Sequence, residues 1–232
     1  MPAPLKDIIE WDVLNWAEAL KVWQPVINTL PRDSKILAIG ERNGGLSLWL
    51  ALQGFRVICT DRTGPTEEAI KMHQKYGVQE LIEYRSFNIF NSDIPENTID
   101  LVIMKSVLGG LKSNYQDKSS RNNDARKLAI QNIYKLLKAG GLLLTADNMQ
   151  GSVPIQWLRN RYNKQASWHY FSLAEMNALM ASFSSSSTHA FGILPTSFSN
   201  QPLNALSHFA NKYLLQWLPA TNKYIGITVA RK

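Results

Sequence analysis

Two glycines, Gly40 and Gly44, interrupt the segment KILAIGERNGGLSLWLALQGF at residues 35–55. Glycine lets backbone approach a ligand with no Cβ in the way, and the first N–H groups of a following helix lack partners. Together these make a place for a nucleotide or another anion. Asp61 ends the next apolar run, near the spacing at which a carboxylate receives ribose hydroxyls. Each signal has a plainer reading, the glycines as a bare turn and Asp61 as the cap of a loop before Gly64 and Pro65. Taken together they favour a nucleoside-containing ligand. Arg42 stands between the glycines, where it can point outward or pair with Glu41.

Proton transfer is best served by a group that titrates near neutral pH. His169, in SWHYF, follows the fifth apolar run and is expected on the ligand side; a partly exposed loop histidine is the competing reading. Lys105 and Ser106 directly follow the fourth run and belong to the same side. His73, beside Lys71 and Lys75 on one helical segment, is expected to be solvated, and His189 and His208 carry little pattern. Tyr134 and Lys138 have the YxxxK spacing of short-chain dehydrogenases, with Ser119 and Ser120 upstream. The TGxxxGxG of that class is missing, and a dinucleotide fingerprint needs glycine at Arg42.

These residues need a frame. Residues 12–30 have helical spacing, with Val13, Trp16, Leu20 and Trp23 on one face. KILAIG, FRVICTD, LIEYRSFNIF, TIDLVIMKS and GGLLLTADN read as five strands. GLSLWLALQG, TEEAIKMHQKYG and the amphipathic residues 121–138 read as helices between them. Strands alternating with helices imply an α/β fold with a parallel sheet covered on both faces. Ligands of such a fold sit at the carboxyl ends of the strands. Residues 148–171 form a polar, aromatic insertion. Ser172 and Glu175 then open a helix with a capping box. SSSS at residues 184–187 reads as a solvated loop, THAFGIL and KYIGITVAR as two late strands, and residues 203–218 as a helix. No repeat or linker divides the chain, so residues 1–232 are expected to form one domain, with residues 1–34 as an N-terminal helix region.

The composition narrows the classes. Of 232 residues, 45% are hydrophobic, too many for a disordered chain. The formal charge of +7 suits an anionic partner. One cysteine, Cys59, excludes a disulfide framework, lies in an apolar strand pattern and reads as structural. No Cys/His cluster has zinc spacing, and no metal is expected. Asp7, Glu10, Asp12 and Glu18 interrupt the first apolar runs, so no signal peptide is read, and no run is long enough to span a bilayer. A soluble cytoplasmic protein is the expectation.

From residue 35 onward the chain resembles the class I S-adenosylmethionine-dependent methyltransferases. AIGERNG aligns Gly40 and Gly44 with the first and third glycines of that family's motif; Arg42 replaces the second and Ala38 the usual acid. FNIFNSDIP, TIDLVIMKSVLGGL, LLKAGGLLLTADN and YIGITVARK match later segments. The resemblance implies a doubly wound, mostly parallel seven-stranded sheet whose last strand is antiparallel. It implies S-adenosylmethionine as cofactor, with Asp61 on the ribose and Asn88 and Ile89 beside the adenine. Gly40, Gly44, Lys105 and Arg42, the last by pairing with the cofactor carboxylate, complete the expected cofactor set.

IGERNGGLSLWLALQGF and MKSVLGGL further resemble methyltransferases of bacterial surface-polysaccharide synthesis, O-antigen or capsule. That implies a small-molecule or glycan acceptor, phosphorylated or not, methylated on a sugar hydroxyl. In this reading the insertion is an acceptor lid. Trp157, Tyr162, Trp168 and Tyr170 stack on sugar rings, and Arg159, Arg161 and Lys164 meet phosphates. His169 and Lys105 are the catalytic candidates. The same aromatic and basic mixture can bind RNA, but no separate binding domain is visible and nucleic acid is not the expected partner. An RNA or protein methyltransferase, or a non-catalytic cofactor-binding module motivated by Ala38 and Arg42, are the alternatives.

Overall fold

The structure, a computed structural model, describes residues 3–112, 123–162 and 168–232. Three short helices open it, α1 (Leu5–Ile9), α2 (Val13–Trp16) and α3 (Glu18–Ile27). Strands and helices then alternate: β1 (Ile36–Ile39), α4 (Gly45–Ala51), β2 (Val57–Asp61), α5 (Glu67–Lys75), β3 (Ile82–Ser86), β4 (Ile99–Lys105), α6 (Asn123–Leu136) and β5 (Leu137–Asn148). The rest is α7 (Val153–Tyr162), α8 (Leu173–Leu179), β6 (Ser185–Phe191), α9 (Gln201–Phe209) and β7 (Ile225–Arg231). The sheet order is β3-β2-β1-β4-β5-β7-β6. β1 to β5 pair in parallel, and β7 runs antiparallel to both neighbours, so the seven-stranded expectation holds.

The apolar strands are apolar because both faces are covered. In β1, Ile36 and Ala38 face a core with Trp16, Trp23, Leu46 and Leu50, while Leu37 and Ile39 face one with Ile130, Ile133, Met176 and Phe183. That alternation is the two-residue strand period read against two helical layers. From β1 the chain winds outward one way through β2 and β3, then returns to β4 on the other side. The crevice at this reversal opens between the carboxyl ends of β1 and β4.

Two expectations change. Residues 12–30 are not one helix but α2 and α3, separated at Ala17; Trp16, Leu20 and Trp23 are nevertheless all buried. The serine run is not a loop. Ser185, Ser186 and Ser187 begin β6 and pair with Arg231, Ala230 and Val229. β6 is an edge strand whose first three side chains are exposed, so its backbone ladder needs no apolar pattern. The decoy Ser119 and Ser120 lie outside the described residues, as do residues 121–122 of the expected helix. Among the described residues no helix is long and apolar enough to cross a membrane.

The N-terminal helices are tied to the far end of the chain by polar bonds. Asp12 is buried with a left-handed φ of 46°. Its carboxylate accepts from the Tyr224 hydroxyl, from Thr196 N at 2.7 Å and from Thr196 Oγ1 at 2.6 Å. Asn15 Nδ2 donates to Tyr224 Oη at 2.7 Å and Leu194 O at 2.8 Å. Burial and the Asp12 charge raise the Tyr224 pKa, so the phenol stays a donor. Asp12→Ala leaves these buried donors without an acceptor and should cost about 3 kcal/mol. Urea unfolding at neutral pH checks this.

Candidate functional site

Gly40 and Gly44 both have positive φ, 73° and 72°. The turn between them is packed from behind. A Cβ on Gly40 would lie 2.4 Å from Val107 Cγ2, and one on Gly44 2.5 Å from the His73 ring. His73 is therefore not solvated. It lies on the inner face of α5 with Ala69, while Lys71 and Lys75 lie outward. Its Nε2 donates to Gly44 O (2.8 Å) and its Nδ1 accepts from Tyr84 Oη (2.9 Å), which fixes the neutral tautomer. Burial lowers its pKa and keeps it so.

Two clefts open beside this turn. The first, about 210 Å³, is lined by Gly40, Asp61, Phe87, Asn88, Ile89 and Leu111, among others. The second, about 490 Å³, is lined by Glu10, Trp11, Glu41, Arg42, Asn43, Lys105, Asn148 and Tyr170. Gly40, Ser106 and Trp168 line both. Gly40, Asp61, Asn88, Ile89, Arg42 and Lys105, expected together from the sequence, thus stand along one continuous depression; Gly44 lies behind it against His73. Arg42 is exposed, and its backbone carbonyl accepts from Thr66 N. Glu41 does not pair with it but is buried, accepting from Ser47 N at 2.9 Å. Burial raises the Glu41 pKa to about 7.

Lys105 ends β4 and turns into the second cleft. Its Nζ sits 3.3 Å from the Trp11 ring centroid and has no hydrogen-bond partner among the described residues. Burial lowers its pKa to about 8, against the opposing pull of Glu10 and Glu41. Glu10 is held by Asn43 Nδ2 at 2.6 Å. Ser106 has a φ of 54°, which turns the chain out of the sheet, and its N–H donates to Ala146 O at 2.7 Å.

Below that turn Asp147, fully buried, accepts from Leu108 N and Gly109 N, each at 3.1 Å. Gly109 and Gly110 make the bed for Trp168, since a Cβ on Gly109 would meet Trp168 Nε1 at 2.2 Å. His169 N donates to Gly109 O, which fixes residues 168–170 against the loop after β4. The side chains then alternate along this extended segment. Trp168 and Tyr170 face the clefts; His169 faces a separate cavity with Arg126, Phe171 and Glu175, its Nε2 3.4 Å from Glu175 Oε1. The structure does not bring His169 to the clefts.

Other residues of the insertion divide. Trp157 is exposed and lines neither cleft. Arg159 donates to Met149 O and Gln150 O and stacks 4.0 Å over Tyr170, so it props an aromatic wall rather than meeting a phosphate. Arg161 is exposed. Lys164 and the Tyr162 side chain lie outside the described residues. Sequence reading missed Glu10, Trp11, Glu41 and Asp147. Only Asp147 had a local signal, as an acid inside the apolar run of β5.

Residues 37–145 match the family described as methyltransferase domain. No curated protein matches in sequence. Among solved structures, the chain is similar to Haemonchus contortus phosphoethanolamine N-methyltransferase 2 in complex with phosphomonomethylethanolamine and S-adenosylhomocysteine. The TM-score is 0.66 at 16% identity, over 94% of this chain and 53% of that one. A possible histamine N-methyltransferase from Thermotoga maritima gives 0.58 at 15%, over 96% and 93%. An S-adenosylmethionine-dependent methyltransferase from Methanosarcina mazei gives 0.58 at 18%, over 90% and 96%. The chain spans about half the length of the Haemonchus protein; at these identities the shared property is the fold.

The buried Glu41 generates a stability prediction. Its folded pKa is raised to about 7 from 4.5, so its contribution is fully present below pH 4.5 and is lost as pH rises to about 7. Relative to Glu41→Gln, the wild type should lose up to about 3 kcal/mol across that window and then level off. Denaturant unfolding of both proteins from pH 4.5 to 8.5 measures the difference.

Proposed function

We propose that this chain, which carries a class I S-adenosylmethionine-dependent methyltransferase domain, methylates a hydroxyl of a small polar acceptor, and that the acceptor is a sugar of a surface-polysaccharide precursor. The domain and its cofactor are the premise, resting on the match over residues 37–145 and on the fold. One observation carries the rest: two clefts that meet at Gly40, Ser106 and Trp168, one suited to a nucleoside and the other walled by aromatic rings and amides.

The first cleft fits the cofactor's nucleoside. Asp61, at the end of β2, offers carboxylate oxygens to ribose hydroxyls. Phe87 and Ile89 supply apolar surface for a base. Asn88 keeps its amide N–H₂ for the ring edge, its Oδ1 being taken by Phe90 N. When bound, the cofactor supplies an electrophilic methyl group on a sulfonium. Ala38, where the family carries an acid, is buried in β1. Glu41 and Glu10 are the carboxylates that remain for the amino-acid end.

In the second cleft Trp11, Trp168 and Tyr170 offer faces to a sugar ring, and Asn43 and Asn148 offer amides to its hydroxyls. Arg42, exposed at this wall, is placed for a phosphate on the acceptor. Lys105 takes the hydroxyl proton. Desolvation brings its neutral form within reach of physiological pH, and it sits at the cleft where His169 does not. Positioning supplies the remainder, by holding the hydroxyl in line with the bond that breaks. A second reading, an amine acceptor, is favoured by the Trp11 ring, which already holds one ammonium.

Calorimetry should show S-adenosylhomocysteine binding and no NADH binding, with Asp61→Ala weakening it about tenfold or more. NADH binding alone would overturn the cofactor. Radiolabelled methyl transfer into nucleotide sugars, polysaccharide precursors, small amines and RNA selects the acceptor.

With an active acceptor in hand, wild-type kcat should rise with pH through about 8, because the neutral amine is the base. Lys105→Met should lose roughly a hundredfold in kcat and that limb. His169→Ala should stay within about threefold. A collapse of His169→Ala with an unaffected Lys105→Met would return the base role to His169.

A further inference from the structure

Helix α9 is built inside out. Asn204, Ser207, His208 and Asn211, at helical spacing, turn toward the protein. Asn211 donates to Asn15 Oδ1 and Leu194 O and accepts from Ile193 N and Leu194 N. Asn204 exchanges two bonds with the backbone of Phe198, and His208 Nδ1 lies 3.1 Å from Asn15 Oδ1. The apolar residues face away. Leu203, Leu206, Phe209, Tyr213 and Leu214 are all exposed, and Trp217 follows in the next turn. Leu206 is 63% exposed and Trp217 77%, the opposite of what folding in water selects. The helix continues through a π-helical turn, Ala210–Leu214, which keeps Tyr213 and Leu214 on the outer face.

The charged residues on α9 and the segment after it are lysines, Lys212 and Lys223. Neither α9 nor the segment that follows it to Tyr224 contains an Asp or Glu. Lys212 Nζ lies 5.3 Å from the Tyr213 ring, and Lys223 is held by Gln216 O at 3.0 Å. Glu18 lies on the inner side, 3.3 Å from His208 Nε2.

We propose that the outer face of α9 and its following turn lies on the surface of an anionic lipid bilayer, with Leu206, Phe209, Leu214 and Trp217 in the acyl boundary and Lys212 among the headgroups. A helix with an apolar face, interfacial Trp and Tyr and adjacent lysines binds a membrane plane in this way. Attraction to anionic lipids strengthens binding several-fold per lysine near the surface. A second copy of this chain is the weaker occupant, because face-to-face pairing would bring two lysine-bearing faces together with no acid on either outer face to answer them. The polar inner face explains why the exposed side is dispensable to the fold. This surface does not depend on the acceptor assigned above.

Vesicle flotation tests it with the full chain. Wild type should float with vesicles of phosphatidylcholine and phosphatidylglycerol and bind pure phosphatidylcholine several-fold less. The triple variant Leu206→Ser, Phe209→Ser, Trp217→Ser should lose roughly tenfold or more in partitioning. Lys212→Glu should weaken binding to the anionic vesicles alone. Trp157→Ser, an exposed tryptophan on α7, should change nothing. Retained S-adenosylhomocysteine binding and an unchanged melting temperature show that each variant is folded. Wild type that fails to float, or a folded triple variant that floats like wild type, overturns the proposal. So does a wild-type dimer in sedimentation that the triple variant abolishes while neither binds vesicles.

Discussion

An ammonium in the interior without a hydrogen bond is expensive, and the arrangement at the end of β4 is what makes Lys105 tolerable. The Trp11 face lies against it, and Glu10 and Glu41 add negative charge nearby. Each of these has its own support. Glu41 is held by Ser47 N, Glu10 by Asn43, and Trp11 by the left-handed residue that follows it, Asp12. The lysine does not fully escape its surroundings. Its lowered pKa is the residue of desolvation that neighbours do not cancel, and the raised pKa of Glu41 is the same burial seen from the other sign.

A second buried charge shapes the opposite wall. Asp147 gathers the N–H groups of Leu108 and Gly109, and Arg126 Nε bonds Leu108 O from the other side. The loop after β4 is therefore pinned from below while its glycines receive Trp168 from above. Trp168 touches both clefts, so a carboxylate that never reaches either one decides where they meet.

The fold was legible because its signals are local. The apolar runs of β1, β2, β4 and β5 have strand length, the capping box of α8 forms as written, Asp61 ends β2, and Asn88 and Ile89 lie just beyond β3. What was illegible depends on partners far along the chain. Lys71 and Lys75 make α5 look solvated, but Tyr84 and the Gly44 carbonyl claim His73. Trp11 carries no sign that it will cover Lys105. His169 was placed in the right segment and on the wrong side, because the two-residue alternation after β5 could not be phased without seeing Trp168 on Gly109. The serines of β6 show the same limit, since an edge strand is held by backbone bonds that side-chain patterns do not record.

The polar knot around Asp12 also divides the crevice by reach along the sequence. Its partner Tyr224 lies 212 positions later in the chain, and Thr196 lies 184 later. The nucleoside side of the crevice, built largely from β1, β2 and β4, is closed by shorter loops. The wall that carries Glu10 and Trp11 is anchored through Tyr224 and Thr196, so the larger cleft depends on contacts that span nearly the whole sequence, and the nucleoside side does not.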